Sequence, residues 1–367
     1  MDRSTSLTKK TLVVIILITL LGLYVWGHNV GMSRLILFSG VQHTIQILMD
    51  IGFVVVLLSI AGAIGHALMK KVTAFELSSA EIVLLEAGVG LGLISLFAAV
   101  MGLVGLFNLL TWVALVVCSV ILRKSLKAWG KLALSLIQFP EQPYSFGQRI
   151  ALAFIVILLI LALFIALAPP TTWDALNYHL VVPHRYIREG AIRQQVDSHF
   201  FGFPQNMEML FGLLMMLGTD RAPAVLHLTL GCLSLLAIYG LVVRHSSRNA
   251  ALFTVLVLLG SYSVWVLLTY AYVDLAILFY CTVGMISIYQ WTWKKDIHWL
   301  IVSAAVGGFA LGVKYTAAPI LLAEFMVVLL TAPKKIIRYA FIFGGVVLVS
   351  FLPWLVKNWI LYENPVY

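Results

Sequence analysis

Charged residues are scarce in this 367-residue sequence. Asp, Glu, Lys and Arg together make up 11% of it, whereas hydrophobic residues make up 62% and the mean hydropathy is +1.03. A soluble domain carries roughly 25% charged residues, so this composition excludes a soluble fold. The sequence predicts an all-α, polytopic integral membrane protein.

Cysteine is rare as well, and no metal-type cysteine spacing is present. Cys118, Cys232 and Cys281 all lie inside apolar segments and are predicted to be packing residues. The net charge of +9 is accompanied by no RNP-type or helix-turn-helix pattern. Nucleic acid is therefore excluded as a partner, and the positive charge is interpreted as a signal of membrane orientation.

Apolar runs long enough to cross a membrane occur along the whole chain. A membrane-crossing helix needs about 20 apolar residues. On that rule we predict eleven spans, near residues 11–27, 42–68, 82–107, 109–122, 150–168, 222–243, 249–269, 271–293, 298–313, 316–332 and 338–356. The apolar segment 207–217 is too short to cross and is predicted to be a juxtamembrane or re-entrant helix on the same side as the loop before it.

The distribution of Lys and Arg predicts the orientation. With a cytoplasmic N-terminus, seven of the 24 Lys and Arg residues fall outside, which leaves 17 inside. The outside residues are Arg34, Arg185, Arg188, Arg193, Arg221, Lys314 and Lys357. A crossing by 207–217 would invert every later loop and break the rule. The sequence therefore predicts a multi-pass protein of the cell membrane whose long loop after the fifth span, 169–221, is external.

Polar content suggests three regions. Residues 1–122 contain few polar side chains and are predicted to form an accessory four-helix membrane module. Residues 123–149 are basic, contain Pro140 and Pro143, and resemble a cytoplasmic linker. Residues 150–367 are predicted to form the membrane core, with loop 169–221 as its catalytic part.

Two acidic residues and one glycine run lie within predicted spans. Glu86 and Glu324 are either functional intramembrane carboxylates or neutral, hydrogen-bonded acids. The glycines of GVGLG, from Gly88 to Gly92, follow no strand, so helix packing is favoured over a nucleotide loop.

The longest polar interval, 169–206, carries most of the candidate chemistry. Thr171 or Thr172 is predicted to cap a short helix over 173–180, which places Asp174 on one face with Asn177 and Tyr178. A carboxylate at the lipid–water boundary has two possible roles. It either acts as a general base toward a hydroxyl or merely caps the helix N-terminus and interacts with the positive end of the helix dipole.

Histidines and arginines are also concentrated in this interval. His179, His184 and His199, with Asp174 and Asp197, have the residue types of a metal site but no recognisable ligand spacing. No metal ligand is assigned, and a divalent-metal requirement is left open. Arg185, Arg188 and Arg193 have the fork geometry that binds phosphate, either of a substrate or of anionic lipid headgroups.

From about Arg149 onward, the order and spacing of five segments resemble the GT-C superfamily of membrane glycosyltransferases. The likeness is to the branch of protein O-mannosyltransferases and bacterial aminoarabinose transferases. The segments are TTWDALNYHLVVPHRYI, FPQNMEMLFGLLMMLGTDRAPAVLH, AYVDLAI, GFALGVKYTAAP and PWLVKNWILYENPVY. Phe203-Pro204-Gln205-Asn206 replaces the family's histidine-proline-proline run, and Tyr367 falls where the family continues, so a C-terminally truncated chain is expected.

The resemblance implies transfer of a sugar from a polyprenyl-phosphate carrier to a lipid, glycan or protein acceptor on the non-cytoplasmic face, with inversion. It makes Asp174 the base, Asp274 the second acidic residue of the catalytic site, and Lys314 the cation that neutralises the departing phosphate. The predicted substrate-binding residues are Asn177, Tyr178, His179, Arg185, Arg188, Lys314 and Lys357. A transporter or flippase of a lipid-linked glycan, and a non-catalytic scaffold, are the alternatives.

Overall fold

The computed structural model describes residues 34–70, 72, 77–137, 143–195 and 198–367. Every regular element in these ranges is helical, which confirms the all-α prediction. The chain divides into two compact units, residues 1–52 and 53–367, and all the site residues lie in the second. The predicted span 11–27 and Asp197 lie outside the described residues.

The helices follow one another with short connections. The first five are α1 (Arg34–Met69), α2 (Ser79–Leu103), α3 (Leu109–Ile121), α4 (Arg123–Ser135) and α5 (Phe146–Ala166). After α5 come a π-helical turn (Ala175–His179), α6 (Val181–Glu189), a 3₁₀ turn (His199–Gly202) and α7 (Asn206–Leu217). The rest are α8 (Ala222–His245), α9 (Arg248–Gly260), α10 (Tyr262–Leu267), α11 (Asp274–Lys294), α12 (Ile297–Val313), a 3₁₀ turn (Tyr315–Ala317), α13 (Ala318–Thr331), a 3₁₀ turn (Pro333–Lys335) and α14 (Ile336–Tyr362).

Six helices of the described part are long and apolar enough to cross a membrane, which confirms a polytopic protein. They are Gly40–Met69, Ser79–Leu103, Phe146–Ala166, Ala222–His245, Asp274–Trp293 and Pro333–Tyr362. The pair α3 and α4, bent by 85°, adds a seventh if it is one span. The count of eleven stays a prediction, because several predicted spans are shorter helices; 249–269, for example, is interrupted at Ser261, where the backbone is extended.

Helix α2 lies in the interior and contacts α7, α8, α11 and α12. Its first turn is a capping box, in which the Ser78 side chain accepts from the Glu81 N–H and the Glu81 carboxylate accepts from the Ser78 N–H. The same buried carboxylate accepts hydrogen bonds of 2.7 and 2.9 Å from Arg244 at the end of α8. This bidentate pair ties α2 to the predicted core, while the proposed module boundary at residue 122 stays a prediction.

The glycines of GVGLG allow close helix packing, as predicted. A Cβ at Gly90 would overlap the backbone carbonyl of Ala61 in α1, and one at Gly92 would overlap the ring of Phe309 in α12. Backbone atoms cannot move aside to relieve such an overlap as the end of a flexible side chain can. The run therefore sets the distance between α2 and its neighbours.

We expect Gly90→Ala to destabilise the protein by about 1–3 kcal/mol, because the added methyl overpacks a backbone contact. Gly344→Ala is the matched control, since a Cβ there meets nothing within 4 Å. That change should stabilise α14 by about 0.5–1 kcal/mol through helix propensity. Thermal midpoints of the detergent-solubilised variants measure both, and a Gly90→Ala midpoint equal to that of the wild type would contradict the packing argument.

Helix α4 occupies part of the predicted linker. Trp129 is buried against Gly62 of α1, whereas Arg123, Lys127 and Lys131 are exposed at intervals of four residues. The 85° bend directs α4 across the axis of α3 rather than along it. Hydropathy did not predict this helix, because its apolar face is narrow and its other face is basic.

Candidate functional site

The segment after α5 begins as a helix near the predicted position but widens into a π turn. The Leu176 N–H donates to the Thr172 carbonyl at 3.1 Å, and the Leu180 N–H donates to the Ala175 carbonyl at 3.0 Å. A π turn holds more residues than an α turn. It turns His179 into the interior while Trp173 and Leu176 remain 66% and 51% exposed, as expected for side chains at a membrane interface.

Asp174 and Tyr178 interact on one face of this turn. Burial raises the pKa of Tyr178, and so does the charge of the neighbouring Asp174 carboxylate. The phenol is therefore protonated at neutral pH and lies beside that carboxylate. The Tyr178 ring also stacks on Phe200 with centroids 4.1 Å apart, whereas Asn177 is exposed.

A cavity of about 220 Å³ lies beside this turn, between α6, the segment 200–205, α7 and the end of α12. Its wall is mainly apolar, and Phe200, Phe203 and Val313 are among the lining residues. Its polar side chains are those of Tyr178, His179, Gln205, Glu208, Lys314, Tyr315 and Thr316. An apolar wall with a few placed polar groups is the usual form of a small-molecule site.

His179 and Glu208 form a buried pair in the wall of this cavity. His179 Nδ1 lies 2.7 Å from Glu208 Oε1, and the side chains are 2% and 6% exposed. Within the described residues, His179 Nε2 and Glu208 Oε2 have no hydrogen-bond partner. Glu208 was not among the predicted site residues; the signal that could have found it is an acidic side chain at the start of an apolar membrane segment.

Lys314 lines the cavity and pairs with Asp274, which is not among the lining residues. Lys314 directly follows α12 and Asp274 is the first residue of α11; Nζ and Oδ1 are 3.1 Å apart, and the side chains are 39% and 34% exposed. The N-terminus of α11 is held by His227, whose Nε2 accepts from the Leu275 N–H at 2.9 Å. Its Nδ1 then donates to the Tyr270 carbonyl, so His227 is a neutral structural residue.

Arg185 and Arg188 line a different cavity, of about 410 Å³, together with His184, Gln195 and Asp220. Arg185 donates a 3.0 Å hydrogen bond to Gln195, and its guanidinium lies 5.1 Å from the centroid of the Phe201 ring. Arg185 and Arg188 therefore do not join Lys314. They lie on the other face of the 175–189 segment.

Lys357 lines neither of these two cavities. It is fully buried, and its ammonium donates to the carbonyls of Phe201 and Phe203 at 2.6 and 2.8 Å. Beside it, the Asn358 amide donates to the Gly202 carbonyl at 2.7 Å. The contacts of Lys357 are thus with the loop that forms one wall of the smaller cavity, and its predicted role in substrate binding stays untested.

The segment Phe203 to Asn206, which differs from the family pattern, is anchored at its end. The Asn206 amide donates to the Phe309 carbonyl at 2.9 Å and accepts from the Trp354 indole at 2.8 Å. Gln205 accepts from Tyr186 at 2.9 Å. These bonds join the loop to α6, α12 and α14.

The other candidate polar residues are dispersed. Glu86 lies 2.9 Å from His66, and Glu324 accepts from Ser303 at 2.9 Å, so both intramembrane acids have partners. Among the described residues, no group of three or more His, Cys, Asp and Glu side chains is arranged to hold a metal ion. His199 instead packs against the Phe200 ring.

Residues 207–357 match the model of the dolichyl-phosphate-mannose-protein mannosyltransferase family. The match includes Glu208, Asp274 and Lys314 and begins after the segment that carries Asp174 and His179. No curated protein and no solved structure matches the chain. The family match confirms the resemblance to the GT-C superfamily, whose members of this type are membrane glycosyltransferases that use polyprenyl-phosphate sugar donors.

Proposed function

We propose that this protein transfers a sugar from a polyprenyl-phosphate donor to a hydroxyl acceptor, with Asp174 as the base and inversion at the anomeric carbon. The observation that carries the proposal is a mainly apolar cavity with the cation Lys314 in its wall and the Tyr178–Asp174 pair at its side. The orientation that accompanies the proposal has a cytoplasmic N-terminus and the site on the non-cytoplasmic face of the cell membrane.

The reaction is a single displacement. Asp174 accepts the proton of the acceptor hydroxyl as its oxygen attacks the anomeric carbon from the face opposite the phosphate. The bond between that carbon and the phosphate oxygen breaks, and its electron pair stays on the oxygen. The products are the glycosylated acceptor and polyprenyl phosphate, and the configuration at the anomeric carbon is inverted.

Lys314 offsets the charge that develops on the leaving phosphate. Its ammonium is part-exposed and bonds to Asp274 at 3.1 Å, so a phosphate oxygen can join or replace that carboxylate. Cations placed where charge develops, in a site that excludes water, are among the most effective catalytic groups. Asp274 holds the lysine in the cavity wall before the donor arrives.

The second cavity gives the acceptor a separate approach. Arg185, Arg188 and Asp220 make it polar, whereas the smaller cavity is mainly apolar. The 175–189 segment separates the two, and Asp174 lies just before it. We therefore assign the donor to the smaller cavity and the approach of the acceptor to the larger one.

Transfer in proteoliposomes tests the function. Purified protein is given a polyprenyl-phosphate sugar with a labelled sugar and a membrane-impermeant hydroxyl acceptor on one side at a time. We expect labelled product with inverted configuration when the acceptor faces loop 169–221. Label that crosses the bilayer without product would identify a flippase, and neither event with any donor offered would contradict the proposal.

A further inference from the structure

His179 and Glu208 each have one polar atom without a hydrogen-bond partner among the described residues. Their mutual bond uses Nδ1 and Oε1, and it leaves Nε2 and Oε2 buried without a partner in the described part of the chain. Buried polar side-chain atoms are nearly always hydrogen-bonded in folded proteins. Two such atoms on adjoining residues of one cavity wall indicate a site that a ligand completes.

The fold holds both atoms in fixed positions. The His179 ring packs against Tyr178 at 4.0 Å and faces Tyr272 at 5.7 Å, measured between ring centroids. The bond from Nδ1 to Glu208 fixes the rotation of the imidazole, as a carboxylate commonly does for a functional histidine. Glu208 is itself fixed by the first turn of α7, which Asn206 anchors to α12 and α14.

The chemistry of the pair suits neighbouring hydroxyl groups. A carboxylate oxygen accepts a hydrogen bond from one hydroxyl, and an imidazole nitrogen bonds to the hydroxyl beside it. The described residues bring no third acidic, histidine or cysteine ligand to the pair, so a metal ion is not favoured. Phe200 and Phe203 line the same cavity and offer apolar surface to the carbon–hydrogen face of a sugar ring.

We propose that His179 and Glu208 are the donor-sugar binding residues, and that they select the sugar through two neighbouring hydroxyls. This rests on the proposed function, because it takes the occupant of the smaller cavity to be the sugar of the polyprenyl-phosphate donor. The pair is separate from Asp174, which acts on the acceptor, and from Lys314, which meets the phosphate.

Donor binding by the full chain in detergent or nanodiscs tests the assignment. The probes are polyprenyl-phosphate mannose, its monodeoxy analogues and polyprenyl phosphate without sugar. We expect His179→Gln and Glu208→Gln to weaken binding of the mannosyl donor by about 10- to 100-fold. Binding of polyprenyl phosphate without sugar should stay within about twofold, because its phosphate meets Lys314 and not the pair.

The monodeoxy analogues separate sugar recognition from a structural role. The wild type should bind one or two of them about 10- to 100-fold more weakly than the full donor, and each variant should lose discrimination at one hydroxyl. His298→Gln is the matched control, because His298 forms the same kind of pair with Asp296 at 2.8 Å but is 63% exposed. Thermal midpoints establish that the variants are folded.

Equal weakening of all the donors, including the one without sugar, would overturn the assignment and give the pair a structural role. If His179→Gln does not fold, the wild type with the monodeoxy series decides, and equal affinity for all of them would overturn the proposal. Sugar-dependent binding without product in the proteoliposome assay would contradict the proposed transfer while supporting this site. The two failures are therefore distinguishable.

Discussion

Replacing Asp174 with Asn is expected to lower kcat by about 10²- to 10⁴-fold, the usual contribution of a general base. Asn keeps the shape of the side chain, but it does not take the proton of the acceptor hydroxyl. Donor affinity should stay within about threefold, because Asp174 acts in the transition state rather than on the bound donor. Single-turnover rates and donor titrations measure the two quantities separately.

Two controls sharpen that result. Asp296→Asn alters an acidic residue that caps α12, and Asn caps a helix about as well as Asp, so transfer should be unchanged. Tyr178→Phe removes the phenol beside Asp174 and should lower kcat less than loss of the carboxylate does. A normal kcat in Asp174→Asn, with the protein folded, would show that another group accepts the proton.

Replacing Lys314 with Met is expected to lower kcat/KM by about 10²- to 10³-fold, comparable to loss of one preorganised donor in a charge-stabilising site. Met is an unbranched side chain of similar length without the cation, so phosphate then departs without a counter-charge. Lys314→Arg keeps the charge and should recover part of the loss. A donor whose leaving group is more acidic than polyprenyl phosphate needs less charge stabilisation. With such a donor, the loss of kcat/KM in Lys314→Met should be smaller.

Asp274 distinguishes a positioning role from direct catalysis. If Asp274 acts by holding Lys314, Asp274→Asn should have little further effect once Lys314 is Met, so the two changes will not be additive. Losses that multiply would instead show that Asp274 contacts substrate by itself. Transfer rates of the two single variants and the double variant complete this cycle.

Much of the fold was predictable, because membrane helices follow a simple length and polarity rule. The runs that became α2, α5, α8 and α11 were all predicted within a few residues, and so was the short α7. The distribution of Lys and Arg predicts that Asp274 and Lys314 lie on the same side of the membrane. In the structure the two side chains form an ion pair. These predictions rest on hydropathy, which is read from consecutive residues and needs no knowledge of tertiary contacts.

The remaining features depend on contacts between distant residues. Glu208 lies 29 positions after His179, and no motif spacing links them. Arg185 and Lys314 were grouped by their chemistry, yet they line different cavities, because a helical segment presents opposite faces to its two sides. The π turn at 175–179 was not predicted, since one extra residue in a turn leaves little trace in composition.

The contacts of Lys357 and Asn358 indicate which residues of this site could be changed to accept other donor sugars. Both side chains bind carbonyl oxygens of residues 201–203, a group that every amino acid carries. These two anchors of the loop backbone therefore do not depend on the side chains at its surface. Residues at the loop surface are open to randomisation in a library that seeks new donor sugars, while the two anchors on α14 must be kept.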